Sequence, residues 1–170
     1  MAYEQHQDAA GPIVARCAVV TVSDTRNEST DKGGRLLRDL LQAAGHAVAH
    51  YQIVPDDEAT LGGLLTNLLG RADVDAVLTT GGTGISRRDR TIDTVGRQLE
   101  QVIPGFGELF RMLSWEQIGS GAMLSRAVAG ISRGKPVFAL PGSTAAVELA
   151  MTRLILPEIR HLLYELRKQP

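Results

Sequence analysis

Short apolar runs alternate along the chain with stretches in which apolar residues recur every three or four positions, and this alternation predicts the elements. Cys17 to Val22 is an apolar run suited to a strand buried on both faces, and it opens into Ser23-Asp24-Thr25-Arg26-Asn27. Asp31 is placed to cap a helix with Leu36, Leu37, Leu40, Leu41 and Ala44 on one side, closed by Gly45. His46 to Val54 alternates loosely, as expected nearer a sheet edge, and meets Pro55-Asp56-Asp57. Leu61, Leu64, Leu65, Leu68 and Leu69 then recur at helical spacing up to Gly70, and Ala76 to Thr80 is the next strand.

Ile92, Val95, Leu99 and Val102 predict a helix, with Thr91 as its cap, that runs to Pro104-Gly105. A second amphipathic segment contains Leu109, Phe110, Leu113 and Trp115, while Ala122 to Ile131 fits helix or extended structure equally well. Pro136 to Leu140 is the last strand and ends in Pro141-Gly142-Ser143-Thr144. From Val147 to Leu166 the spacing implies one long helix or two, with Pro157 either kinking it or starting the second. Strands alternating with helices predict an α/β protein whose mostly parallel sheet is covered on both faces. In such sheets ligands bind outside the carboxyl ends of the strands, so four polar loops are expected on one rim.

Residues 1–12 lack periodicity and end in Gly11-Pro12, which predicts a flexible tail before a single domain over residues 13–170. A net charge of −1 provides no global positive field for nucleic acid or an anionic membrane, so any anion must be held locally. The first residues lack an apolar signal core, and no stretch approaches the roughly 20 apolar residues of a membrane span; a soluble, cytoplasmic protein is expected. The single cysteine, Cys17, sits in an apolar run and is expected in the core. The four histidines show neither zinc-protease spacing nor cysteine partners.

The chemistry concentrates in Ala76-Val-Leu-Thr-Thr-Gly-Gly-Thr-Gly-Ile-Ser-Arg-Arg-Asp89. Gly81, Gly82 and Gly84, with Thr83 between them, let the backbone bring N–H groups close to an anion, and the helix that follows would face it with its positive end. The competing reading is a tight turn without a ligand. A P-loop is excluded because Ile85-Ser86 stand where Lys-Ser/Thr is required, and the dinucleotide fingerprint because Arg87 stands where a third small residue belongs. Two carboxylates beside a phosphate cradle suggest Mg²⁺, with Asp56 and Asp89 the expected pair. Asp57 could instead cap the next helix, and Asp24 could bind a ribose or stabilise its own turn. Arg87 and Arg88 could offset triphosphate charge, although adjacent residues rarely point the same way. No Ser-His-Asp or Cys-His arrangement is readable, and a nucleotidyl transfer needs none.

These residues carry a family resemblance. Thr79-Thr-Gly-Gly-Thr-Gly-Ile-Ser-Arg-Arg-Asp-Arg-Thr91, Pro104-Gly-Phe-Gly-Glu-Leu-Phe-Arg111, Leu124-Ser-Arg126, Ala129-Gly130 and Leu140-Pro-Gly-Ser143 resemble the MoaB/MogA family of molybdenum cofactor biosynthesis from residue 14 to about 166. The resemblance implies a three-layer αβα sandwich that binds molybdopterin, a pterin carrying a dithiolene and a phosphate. For active members it also implies Mg²⁺- and ATP-dependent adenylylation of that phosphate with release of pyrophosphate. By motif, Asp56 and Asp89 match the catalytic, metal-binding carboxylates; Gly81 to Gly84, with Asp24 and Arg88 beside them, match the nucleotide-phosphate side; Ser125, Pro141, Gly142 and Ser143 match the pterin side. Phe110 to Trp115 resembles the MoaB branch. Where adenylyltransferases of the family tend to carry Asn or Gln after Pro-Gly, this chain has Ser143-Thr144, and a non-catalytic pterin carrier is the alternative. Self-association into a trimer or hexamer, and hand-over to a downstream metal-insertion protein, are further expectations. The first of these is also motivated by Phe110, Met112, Leu113 and Trp115, which occupy more than one helix face.

Overall fold

Arg16 and the apolar run that follows it, interrupted only by Thr21, form β1 (Arg16–Val22), and the rest of the sheet is built outward from it. In the computed structural model, which describes residues 10–11 and 13–168, β1 lies between β2 (Ala47–Val54) and β3 (Ala76–Thr80), both parallel to it. On the far side of β3 stands β6 (Lys135–Leu140), also parallel, followed by β5 (Val128–Ser132) and β4 (Gln101–Val102) in antiparallel register. The tail expected over residues 1–12 lies largely outside the described residues. Of that segment, Ala10 is buried and the Gly11 carbonyl accepts a hydrogen bond from Arg160 at 2.9 Å.

Strand side chains point alternately to opposite faces, and the core divides accordingly into two clusters. Cys17, Val19, Leu78, Phe138 and Leu140 pack against α1 (Lys32–Ala43), α4 (Pro104–Ile118), α5 (Thr144–Ala150) and α6 (Leu156–Arg167). Ala18, Val20, Val22, Val77 and Val137 pack against α2 (Glu58–Gly70) and α3 (Thr91–Gln98). The result is the expected αβα sandwich. Truncating Leu65, fully buried in the second cluster, to alanine costs about 2 to 5 kcal/mol on the scale of core cavities.

Several local expectations hold at the level of the atom. Asp31 caps α1 by accepting from the Gly34 N–H at 2.9 Å, and Asp57 caps α2 by accepting from Thr60 at 2.8 Å. Others are corrected. Thr91 does not cap α3: Arg90 occupies the cap position without a side-chain bond, and Thr91 is the first helical residue. The helix expected to reach Val102 ends at Gln98. Leu99, with extended backbone, turns the chain into β4, which Glu100 and Ile103 flank by donating to the Ile131 and Ala129 carbonyls at 2.8 Å, and Pro104 keeps Ile103 out of helical geometry before α4 begins. The ambiguous segment resolves into a 3₁₀ stretch, Gly119–Leu124, and then β5. β5 returns to β6 through Arg133-Gly134, both at positive φ as a two-residue hairpin requires. Pro157 starts the second helix: α5 continues through a π-helical stretch, Met151–Ile155, which accommodates the missing proline N–H before α6 begins.

Candidate functional site

The carboxyl ends of β1, β2, β3 and β6 meet on one rim. Ser23 N–H donates to the Val54 carbonyl at 2.8 Å, Gly81 N–H to Leu140 at 3.0 Å, and the Thr80 hydroxyl to Pro141 at 2.9 Å. These bonds place the loops bearing Asp24, Asp56, Gly81 to Asp89, and Pro141 to Ser143 side by side. Asp24, exposed, accepts from the Asp56 N–H at 3.1 Å, and Asp56, half-buried, accepts from the Arg90 N–H at 3.2 Å. Burial lifts the Asp56 carboxyl above the usual carboxylate range. The Arg90 N–H opposes this rise, while the charges of Asp89 and Asp24 reinforce it. A cation would relieve that repulsion.

Between the two carboxylates runs the glycine loop. Gly82 is left-handed, with φ +62°, and a β-carbon there would lie 2.6 Å from Asp56 Oδ2. A β-carbon on Gly84 would lie 2.6 Å from Asp89 Oδ2. Asp56 and Asp89 therefore lie against the loop at two neighbouring glycines, each in space that a side chain would fill. Asp89 also accepts from the Ser86 N–H at 2.8 Å, which fixes its carboxylate at the loop end. The Gly81 N–H is committed to β6, but among the described residues the N–H groups of Thr83, Gly84 and Ile85 have no acceptor within the chain. Consecutive free N–H groups of this kind form an anion cradle.

Two clefts flank the loop. One, about 240 Å³, lies between Thr83, Gly84, Phe110, Ser125, Pro141 and Ser143. Ser125 lines it, and the Ser125 hydroxyl is buried and without a hydrogen-bond partner. The Ser143 hydroxyl is engaged as the cap of α5, accepting from the Ala146 N–H at 3.2 Å, while the Gly142 carbonyl accepts from Arg26 at 3.1 Å. The other cleft, about 400 Å³, is lined by Ser86, Arg87, Asp89, Arg90 and Arg126. Of the two adjacent arginines, Arg87 lines it and Arg88, exposed, does not. A third cavity, about 550 Å³, opens beside Asp24, Arg26 and Tyr51.

Asp56 and Asp89 are the residues able to hold a metal, and their chemistry suits magnesium, which takes one or two carboxylates and completes its shell with water and substrate phosphates. Among the described residues no group of three His, Cys, Asp or Glu side chains forms a closed metal cage. The donors present fit an ion shared with a substrate.

Four residues of the rim escaped the sequence reading of the site. Arg126 donates to the carbonyls of Thr83, Gly84 and Asp89. Thr91 presents a buried hydroxyl without a partner beside Gly82. Tyr51 donates to the buried Asp31 at 2.7 Å, and burial together with that bond pushes its phenol up to about 12. Arg26 reaches from the first loop to the Gly142 carbonyl. Arg126 lies within the Leu124-Ser-Arg126 motif, Thr91 ends the Thr79–Thr91 motif and Arg26 lies in the polar end of the first strand, whereas Tyr51 left no trace in the sequence.

Fold and rim together define an α/β protein with a carboxylate-flanked glycine loop at the carboxyl edge of a mostly parallel sheet. Residues 18–161 match the family model described as "Probable molybdopterin binding domain", and the chain belongs to that family. It is 52% identical to Molybdenum cofactor biosynthesis protein B of Halalkalibacterium halodurans over 169 residues, 99% of either chain. The protein of the same name from Bacillus subtilis is 48% identical over 171 aligned residues, 99% of either chain. A crystal structure of a Molybdenum cofactor biosynthesis protein B superposes with a TM-score of 0.91 at 53% identity, covering 93% of this chain and 99% of that one. The tungsten cofactor synthesizing protein MoaB from Pyrococcus furiosus superposes at 0.83 and 38% identity, covering 92% and 99%. The MoaB/MogA resemblance is borne out, and the chain stands among the proteins of molybdenum cofactor biosynthesis. No helix among the described residues is long and apolar enough to cross a membrane.

Proposed function

We propose that the chain binds molybdopterin and adenylylates its phosphate with Mg-ATP, releasing pyrophosphate. The observation that carries this reading is the pair Asp56 and Asp89, set against a loop of free N–H groups that opens on the cleft of Ser125. In this reading the N–H groups of Thr83, Gly84 and Ile85 hold nucleotide phosphate, and Arg87 with Arg90 faces the departing pyrophosphate across the second cleft. Ser125 and the Pro141-Gly142-Ser143 turn orient the pterin, Ser125 through its unpaired hydroxyl. Asp24 extends the nucleotide side toward the larger cavity. A phosphate monoester has a second pKa of about 6 and is largely dianionic near neutral pH. Its oxygen attacks the α-phosphorus, the bond to the bridging oxygen of pyrophosphate breaks, and no protein base has to remove a proton. When bound between Asp56 and Asp89, magnesium would neutralise charge on the reacting phosphates. The protein's own part is alignment in line, worth several kcal/mol when it converts an encounter into a held geometry.

Incubation with authentic molybdopterin, ATP and Mg²⁺ tests the reading: pyrophosphate should appear with turnover. Saturable pterin binding without pyrophosphate would instead identify a carrier. Self-association belongs to the same proposal. Phe110 and Leu113 are buried in the monomer, but Met112, Trp115, Ile118 and Met123 are 57%, 61%, 63% and 78% exposed, an apolar face that a trimer or hexamer would cover. A monomer in solution scattering at micromolar concentration contradicts that part.

A further inference from the structure

Arg126 lies two residues before β5 and directly after Ser125, which lines the pterin-side cleft and has a buried, unpaired hydroxyl. Its guanidinium serves the opposite side of the glycine loop. Nε donates to the Thr83 carbonyl at 3.3 Å, and Nη2 donates to the Gly84 carbonyl at 2.5 Å and the Asp89 carbonyl at 2.8 Å. Nη1 lies 3.5 Å from Asp93 Oδ2 in the first turn of α3. One planar fork thus joins both ends of the loop to the helix that follows it, from three separate nitrogens, whereas a lysine would have to reach all of these acceptors from a single nitrogen.

The carbonyls gathered by Arg126 belong to the residues whose N–H groups form the cradle or whose side chain flanks it. A peptide unit points its C=O and its N–H in opposite directions, so fixing the carbonyls of Thr83 and Gly84 on one side also fixes the N–H groups of Gly84 and Ile85 on the other. We propose that Arg126 is the positioning residue of this site: it holds the glycine loop in its phosphate-binding conformation and ties that conformation to the segment carrying Ser125. This rests on the reading of the loop as the nucleotide-phosphate site. Ordering the loop in advance spares the nucleotide the entropic cost of doing so. It also makes the segment under the pterin and the loop under the nucleotide parts of one hydrogen-bonded unit, so each ligand favours the other reciprocally.

The test uses Arg126→Lys, which keeps the charge and loses the fork, with Arg126→Gln as a second variant. Amide hydrogen exchange in the ligand-free protein should accelerate about tenfold or more at Ser86, Asp89 and Thr91 while the amides of β1 and β3 are unchanged. Mg-ATP affinity should fall about tenfold, and the favourable effect of pterin on that affinity should disappear. In the wild-type protein, nitrogen NMR should show Arg126 with slowed rotation about its guanidinium bonds, a readout available even if both variants unfold. Loop exchange within about twofold of wild type in a folded variant, or a freely rotating Arg126 in the wild type, overturns the proposal. Nucleotide affinity lost without any change in loop exchange also overturns it, because Arg126 would then be a direct phosphate ligand. Failure of the wild-type protein to bind Mg-ATP removes both the nucleotide site and this role, even if exchange shows the loop to be stapled.

Discussion

Gly82 and Asp56 compete for one position in space: a β-carbon on the glycine would lie 2.6 Å from the carboxylate oxygen, so the carboxylate stays where it is because residue 82 has no side chain. Gly82→Ala imposes this clash, and a closer one with the Thr91 hydroxyl, on a backbone at φ +62°, a conformation costing about 1 kcal/mol for a residue with a β-carbon. The expected result is a protein that folds with a melting temperature lowered by roughly 2–4 °C per kcal/mol but turns over at least about 100-fold more slowly. Turnover close to wild type would show that Asp56 need not occupy this position.

Asp89→Asn keeps the size of the side chain and an oxygen able to accept from the Ser86 N–H. It removes the charge that balances a cation. A loss of about 100-fold in kcat, or about 2.7 kcal/mol of transition-state stabilisation, is expected with folding and pterin binding preserved. Asp56→Asn should act similarly, and the double variant should lose less than the sum of the two in free energy, as two ligands of one ion do. Full additivity of the pair argues against a shared ion.

The two serines of the pterin side should separate. Ser125 has a buried, unpaired hydroxyl, so Ser125→Ala should leave thermal stability unchanged or raise it, while pterin affinity falls by about 1 kcal/mol, roughly fivefold. Ser143 caps α5, so Ser143→Ala should lower stability by about 1 kcal/mol. Calorimetry with pterin and thermal melts on both variants check this. Equal loss of stability in the two would mean that the Ser125 hydroxyl has a structural partner.

Asp31 contributes to the acid limb of stability. Burial alone would raise its carboxyl, but hydrogen bonds from Thr21 at 2.6 Å, Gly34 and Tyr51 and the charge of Arg26 outweigh that, so its pKa lies below the ordinary 3.8. A depressed carboxylate contributes stability that is present above its unfolded-state value and lost as pH falls through its folded value. Unfolding free energy should therefore drop as pH falls below 3.8, and Asp31→Asn should flatten that slope while costing about 2 to 3 kcal/mol near neutrality. An unchanged acid slope in the variant contradicts this assignment.

Much of the fold was legible because the apolar patterns are clean. Unbroken apolar runs mark β1, β3 and β6 as strands buried on both faces, with neighbours such as Val77 and Leu78 entering opposite cores, and the leucines of α2 keep one buried face. What escaped was short or non-local. β4 is only Gln101–Val102 and exists because β5 offers it an antiparallel edge, which no local pattern encodes. At the site, Asp24, Asp56, Asp89 and the glycine loop were named from composition and strand ends, and the structure brings them together. The three carbonyls held by Arg126 lie 37 to 43 positions away in sequence, and a guanidinium directed at main-chain oxygen leaves no signature in either partner's identity.

In the proposed reaction ATP is cleaved between its α- and β-phosphates with transfer of AMP to the pterin phosphate. Reaction with molybdopterin and Mg²⁺ using ATP labelled at the α-phosphorus, and in parallel at the γ-phosphorus, tests this most directly. The α-label should move into a pterin adduct and the γ-label should leave in pyrophosphate, both about 100-fold more slowly in Asp89→Asn. Label that stays in ATP while the pterin is bound, or γ-label that appears as inorganic phosphate, contradicts it.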